Sequence, residues 1–410
     1  MLSFAASHAR EKSAADKIFD TVMAANKAGA KYGKDKVVNA APGTFLNDDG
    51  QIGFLPTVEK IYRTLPAGEI VSYAPIAGVP EFLDAVTVAA FREHKPEAYA
   101  KAVATVGGTG ALHNIVNNYS ELGDVVLTTD WCWGPYRSIC EDLQRKFATF
   151  AMFDADGLFN LSSLTARIDE ILAKQQQLVL ILNTPAHNPT GYSLSEADWD
   201  AVMAVLKDYT VQGRRQIILV IDIAYIDYAG PNSRQFLHKL SELPDHVLAI
   251  LTFSMSKGYT LYGQRAGAMI GVSRFREVIE EFDNINQYSC RATWSNVNRA
   301  AMRTLASIFQ DAALVEQVDR ERQQYVLKIN ERAGIFTAEA QAAGLAMYPY
   351  KAGFFLTIPC SDPGQACRKL EEDLIFAVAL NKGIRLSVCA IPTSQIPGLA
   401  AKVAAAIRVL

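Results

Sequence analysis

Four polar features interrupt the apolar middle of the chain, and each holds residue types that could do chemistry: GGTGAL from Gly107, AHNPTG from Ala186, DIAY from Asp222, and SMSKGYTLYGQR from Ser254 to Arg265. Lys257 follows the apolar run LAILTF in a Ser-x-Ser-Lys context, with Arg265 farther along the same segment. A lysine attacks a carbonyl only as its neutral amine. Partial burial beside positive charge therefore suits a Schiff-base role; a solvated surface lysine is the everyday alternative. Asp222 closes IILVID, where a carboxylate would be partly desolvated and needs a cation or hydrogen bonds to stay ionised. A protonated pyridine nitrogen is one such cation, and a structural arginine is the ordinary one. Tyr225 could offer its phenol to the same ligand or simply pack.

GGTGAL follows one apolar run and opens a helical pattern, so its backbone N–H groups and the positive helix end could face a phosphate. A tight strand-to-helix turn that needs glycine is the plainer reading. A dinucleotide motif G-x-G-x-x-G started at Gly108 and Gly110 would place its third glycine at His113, whose bulk argues against that packing. Ser254 and Arg265 could complete a phosphate cup with this turn, arginine being the better bidentate partner.

These residues need strands to carry them. Apolar runs recur at Ala102, Asp124, Phe147, Leu178, Ile217, Leu248 and Ala266, several of them apolar throughout, as strands buried on both faces are. Helical stretches at 111–121, 134–146, 161–176 and 195–212 alternate with them. The order predicts an α/β fold: a large domain with a mostly parallel seven-stranded sheet flanked by helices, with ligand sites at the carboxyl ends of strands. After residue 272 the pattern changes to helices near 273–283 and 296–335. FFLTIP, a helix near 363–381 and IRLSVCA then indicate a smaller α+β domain. The expected division is 60–290 for the large domain and 1–59 with 291–410 for the small one.

The 40 basic and 43 acidic residues leave a formal net charge of −3, so no electrostatic footprint for nucleic acid or membrane is present. Six scattered cysteines read as reduced thiols. Arg10, Glu11 and Lys12 stand where a signal peptide would be apolar, and no run of about 18 apolar residues occurs. A cytoplasmic protein acting on small molecules, with no metal site, is expected.

Taken together, the motifs resemble those of the fold-type-I pyridoxal-phosphate aminotransferases, and among them the aspartate/aromatic aminotransferase group, from about residue 36 to the C-terminus. The resemblance implies pyridoxal 5'-phosphate as cofactor and ping-pong transamination between an amino acid, aspartate/glutamate or aromatic, and a 2-oxo acid such as 2-oxoglutarate. Lys257 matches the Schiff-base lysine, which also carries the proton, and Asp222 matches the partner of the ring nitrogen. Tyr225 and Asn188 match the residues at the ring 3-oxygen. Gly108, Thr109, Ser254 and Arg265 match the phosphate cup, and Trp133, with Trp131 as a weaker match, the aromatic stacked on the ring. Arg385 in GIRLSV matches the fork for the substrate α-carboxylate, where Asn188 also reaches, and Gly43 a backbone contact nearby. Tyr73 in SYAPIAG and Arg291 in SCRATWSN match residues given across a homodimer interface, Tyr73 to phosphate and Arg291 to a distal carboxylate. A surface role is the alternative for Arg291. The chain departs from the family at Val297 and Asn298, where prolines are usual, and at Tyr136, where histidine is common. A carbon–sulfur β-lyase or a decarboxylase of the same fold type would share the cofactor residues. A cofactor-sensing transcription regulator would need a DNA-binding module ahead of the similarity.

Overall fold

The computed structural model describes residues 4–9, 12, 16–213 and 215–408; Arg10 and Glu11 lie outside the described residues. Packing divides the chain into two compact units. One comprises Phe54–Pro185 and Ser193–Arg322; the other takes the chain up to Gly53, Ala186–Tyr192, and the chain from Gln323 onward.

The first unit holds the seven-stranded sheet: β1 Tyr99–Thr105, β2 Val125–Thr129, β3 Lys146–Phe150, β4 Gln177–Asn183, β5 Gln216–Asp222, β6 Val247–Ser254 and β7 Gly267–Ser273. The spatial order is β1-β7-β6-β5-β4-β2-β3. β7 runs antiparallel to β1 and β6, and the other neighbouring pairs are parallel. Only an antiparallel pair can be joined by a short connection without a crossover, and the β6–β7 connection is the segment that carries Lys257 and Arg265. After their first residues, β4 and β5 are buried throughout, as their unbroken apolar runs require. On one face Val179, Ile181, Ile218, Val220, Ile250 and Met269 pack with residues of the helices Gly107–Asn118 and Arg276–Thr293.

Strand register brings the chemistry to one edge. Asn183 lies opposite Asp222, Asp222 opposite Thr252, Ser254 opposite Gly267, and Gly267 opposite Thr105. Gly267 cannot carry a side chain, because a Cβ there would sit 2.4 Å from the Phe253 carbonyl oxygen and 2.9 Å from the Gly107 carbonyl carbon, both backbone atoms. Gly267→Ala is therefore expected to cost about 1–3 kcal/mol of stability, read by thermal denaturation of the apoprotein; an unchanged melting temperature would contradict this packing.

Residues 291–322, expected with the smaller domain, group with the sheet. Helix Arg299–Phe309 packs on Pro80–Phe91, and Arg299 and Arg303 pair with Glu69 at 2.8 and 3.5 Å. The helix expected over 296–335 is two helices, Arg299–Phe309 and Ala312–Ala342, separated where the Asp311 carboxylate accepts from the Ala313 N–H at 2.9 Å.

In the second unit, Phe355–Pro359, Gly383–Ser387 and Val378–Ala379 form an antiparallel sheet with Gly383–Ser387 in the middle. Val38–Asn39 pairs in parallel with Ile375–Phe376. The helix expected to run to 381 ends at Glu372, because the buried apolar residues after it form these short strands. The segment Ala186–Tyr192 is bound into this unit: the Thr357 hydroxyl donates to Pro189 O at 2.7 Å, and the Lys351 N–H to Gly191 O at 2.8 Å. Fully buried Arg332 donates to Leu46 O and Cys389 O, both at 3.0 Å, and to Asp48 at 2.8 Å. Burial alone would raise the Asp48 carboxyl, but the Thr393 N–H and the Arg332 guanidinium hold it well below the carboxylate range.

Candidate active site

In the sheet unit, β5 ends in Asp222, which is only 7% exposed. One carboxylate oxygen accepts from the Tyr136 hydroxyl at 2.6 Å and the other from the Ala224 N–H at 3.1 Å. Burial raises the Asp222 pKa, and these two hydrogen bonds only partly offset it. Burial and the neighbouring Asp222 charge push the Tyr136 phenol well above its ordinary value, so it stays a donor. The hydrogen-bond donors named here are neutral, and a cationic N–H is the kind of group that would relieve the buried charge.

Next to this strand, β6 ends in Ser254, whose hydroxyl caps the single turn Met255–Gly258 by accepting from the Ser256 N–H at 3.2 Å. Lys257 lies on that turn, half-buried, with its Nζ 5.8 Å from the centroid of the Tyr225 ring and 5.1 Å from that of Tyr262. Tyr225 itself is buried. The lysine thus stands one strand over from Asp222, against the phenol that follows Asp222.

The glycine turn meets the same edge. Gly107 has φ +65°, and a Cβ there would lie 2.8 Å from Arg265 Nη2; a Cβ on Gly108 would touch Ser254 Cβ at 3.7 Å. Side chains at these positions would fill a cradle formed by the start of helix Gly107–Asn118, Ser254 and Arg265. Arg265 adopts the left-handed conformation and donates to the Ser256 hydroxyl at 3.1 Å and to Tyr262 O at 3.0 Å, which leaves its guanidinium largely exposed. Thr109 is exposed on the first turn of the helix. Backbone N–H groups, a hydroxyl and a guanidinium together suit a phosphate dianion. These residues suit a phosphorylated pyridine aldehyde: the cradle would hold its phosphate, Asp222 its ring nitrogen, and Lys257 would meet its aldehyde.

Trp133 is half-buried and stands edge-on to Tyr136, with ring centroids 5.5 Å apart, whereas Trp131 is buried at 3% exposure. Trp133 therefore has the ring surface to spare. Tyr73 is 87% exposed, and Arg291 is exposed with its guanidinium donating to the Ser295 hydroxyl at 2.5 Å.

In the other unit, Arg385 lies on the central strand Gly383–Ser387 and is buried. Its guanidinium donates to Ala41 O at 2.5 Å and to Asn188 Oδ1 at 3.4 Å, and packs 4.5 Å from the Phe355 ring centroid. Ser387 anchors the loop that contains Gly43, its N–H donating to Ala40 O at 2.9 Å and its hydroxyl to Pro42 O. Arg385, Asn188 and the Gly43 loop are thus assembled around one buried guanidinium, a fork suited to a carboxylate.

In the sequence Tyr136 stands out only as a departure from the family, with no local sign of its bond to Asp222. Ser256 and Tyr262, both within SMSKGYTLYGQR, carry no sequence signal for their contacts with Arg265 and Lys257.

The profile of the family described as aminotransferase class I and II matches residues 35–403. The chain is similar to an aminotransferase of Anaerococcus prevotii of known crystal structure, with 36% identity, a TM-score of 0.97, and coverage of 99% of this chain and 100% of that one. It is 28% identical over 290 residues to a tyrosine aminotransferase of Klebsiella pneumoniae, covering 68% of this chain and 70% of the relative. Against a mitochondrial aspartate aminotransferase of Schizosaccharomyces pombe it is 24% identical over 306 residues, covering 73% of this chain and 68% of the relative.

Proposed function

Since the chain belongs to the class I and II aminotransferases, a pyridoxal-phosphate-dependent family, we propose that it moves the amino group of aspartate, glutamate or an aromatic amino acid to a 2-oxo acid such as 2-oxoglutarate. The observation that carries this reading is Asp222: a buried carboxylate, bonded to neutral donors, one strand away from Lys257. Pyridoxal phosphate, when bound, supplies an aldehyde that takes the substrate amine and a ring that accepts the electrons released at Cα.

The chain's own residues supply the rest. Asp222 would hold a proton on the ring nitrogen, Tyr225 and Asn188 would hold the ring 3-oxygen, and Trp133 would cover one ring face. Gly108, Thr109, Ser254 and Arg265 would take the phosphate. Arg385 would bind the α-carboxylate, with Gly43 and Asn188 beside it, and so set the orientation of the Cα–H bond. Lys257 Nζ, once displaced by the incoming amine, would be free to take the Cα proton as a neutral base. Tyr73 and Arg291 are read as groups lent to the neighbouring copy of a homodimer, a role in keeping with their exposure.

The test is a spectroscopic half-reaction with a panel of amino acids. The bound cofactor's visible band should disappear with a substrate amino acid and return with 2-oxoglutarate. Release of pyruvate and ammonia with no oxo acid present would overturn the reading in favour of a β-lyase. Arg291 decides the substrate class: if it binds a distal carboxylate, Arg291→Ala should weaken kcat/KM for aspartate by at least about thirtyfold relative to phenylalanine, the range for losing one partner of a desolvated charge pair. Equal losses would leave the aromatic reading.

A further inference from the structure

The turn that carries Lys257 is one turn long, so no following helix satisfies its carbonyl groups. The chain just after the turn meets some of them, and residues far away in the sequence add to it at Lys257 O and Gly258 O. The Tyr228 hydroxyl donates to Lys257 O at 3.2 Å, joined by the Thr260 N–H at 3.2 Å. Arg322 Nε donates to the next carbonyl, Gly258 O, at 2.7 Å. Asp227 presses on the same residue: a Cβ at Gly258 would lie 2.1 Å from Asp227 Oδ2.

These side chains form a buried ionic group with anchors of its own. Asp227 accepts from Arg234 at 2.5 Å and lies 3.9 Å from Arg322, which also donates to Asp319 at 2.7 Å. Arg234 is tied to Ala89 O and Ala90 O, both at 3.1 Å, and the Arg322 guanidinium lies 5.0 Å from the buried Tyr259 ring centroid. Burial opposes ionisation of Asp227, but Arg322 and Arg234 outweigh it and hold the carboxyl at about 2. Ion pairs this deeply buried are poor devices for stability, since apolar residues of equal volume often serve as well or better. What apolar residues could not supply is directed donors to the two successive carbonyls at and after Lys257.

We propose that Tyr228, Arg322 and Asp227 are positioning residues that fix the Lys257–Gly258 backbone, and so hold Nζ where it captures the cofactor aldehyde and the substrate proton. This rests on the reading of Lys257 as the cofactor-bearing amine. Arg322→Lys would keep the charge, but one ammonium cannot imitate a fork that reaches Gly258 O and Asp319 together, so charge alone should not rescue function. Tyr228→Phe removes a single hydroxyl and decides the matter even if the arginine variants do not fold.

The experiment starts from apoprotein of the wild type, Tyr228→Phe and Arg322→Lys. A core variant, Leu164→Ala, from a buried position on the helix Leu161–Leu172, serves as a control for lost stability. Pyridoxal phosphate is added, uptake is followed by absorbance, and the attachment site is found by borohydride reduction and peptide mass. Tyr228→Phe and Arg322→Lys are expected to slow uptake onto Lys257 and lower kcat by about tenfold to a hundredfold, as a small misplacement does. KM for the amino acid, set chiefly by carboxylate binding, should move by less than about threefold. Leu164→Ala should lose melting temperature without either kinetic effect. Wild-type-like uptake and kcat in Tyr228→Phe, or equal losses in Leu164→Ala, would overturn the clamp alone. Cofactor attached anywhere but Lys257 in the wild type would overturn both the clamp and the reading beneath it.

Discussion

Lys257→Ala is expected to abolish the visible absorbance that pyridoxal phosphate gains on the wild-type protein, and to lower kcat/KM by at least about 10⁴-fold. The size follows from losing two roles at once, the covalent anchor and the general base, the second alone being worth about 10²–10⁴-fold. Lys257→Arg should fare no better. Its guanidinium keeps the charge and most of the length, but it stays protonated and can neither attack an aldehyde nor accept a proton. Cradle and carboxylate remain in both variants, so both should still bind pyridoxal phosphate, now reversibly, without a borohydride-reducible bond. A Lys257→Ala protein with the visible band and full turnover would remove the assignment altogether, because the assignment rests on this one amine.

Lys257 and Asp222 were legible in the sequence because each interrupts an apolar run at its carboxyl end, where a doubly wound sheet gathers its ligands. The β-strand runs were legible for the same reason: buried strands show as unbroken Val, Ile and Leu. The reversed direction of β7 was not, since strand polarity leaves no mark on composition; it shows in the antiparallel pairing of β7 with β6 and β1, which only the assembled sheet reveals. The cradle was half legible. Its glycines and Arg265 lie in quotable motifs, but the contact between Gly107 and Arg265 depends on Thr105 and Gly267 being register partners. Tyr136 and Arg322 escaped because their partners are distant in the chain: Asp222 lies 86 positions from Tyr136, and Gly258 lies 64 from Arg322. A tyrosine in WCWGPY and an arginine in a long charged helix have no local feature that says what they touch.

Asp222→Asn should produce the second-largest loss, about a thousandfold in kcat/KM, comparable to removing one pre-organised electrostatic group from a buried site. An amide there is neutral, and no longer favours a proton on the ring nitrogen. The same change should act in the opposite direction on the cofactor-free fold. Burial raises the folded-state pKa of Asp222 above its ordinary value of 3.8. An acid raised in this way makes the folded state less stable as pH climbs from its ordinary value through the raised one, and the penalty persists above that. The Asn side chain removes this penalty and its oxygen can still accept from Tyr136, although its NH2 then faces the Ala224 N–H, so the melting temperature of apo Asp222→Asn should lack the fall with rising pH that the wild-type carboxylate brings. The wild type should instead gain more melting temperature from added pyridoxal phosphate than the variant does, since the cation it acquires relieves a charge the variant lacks. Tyr136→Phe removes one hydrogen bond to a charged group, worth about 1.5–3 kcal/mol, and should cost about ten- to a hundredfold. Because Tyr136 acts only through Asp222, the double variant should be scarcely worse than Asp222→Asn alone. Full additivity would mean that Tyr136 works by another route, and an Asp222→Asn enzyme with near-normal turnover would mean that the ring nitrogen is not held by this carboxylate.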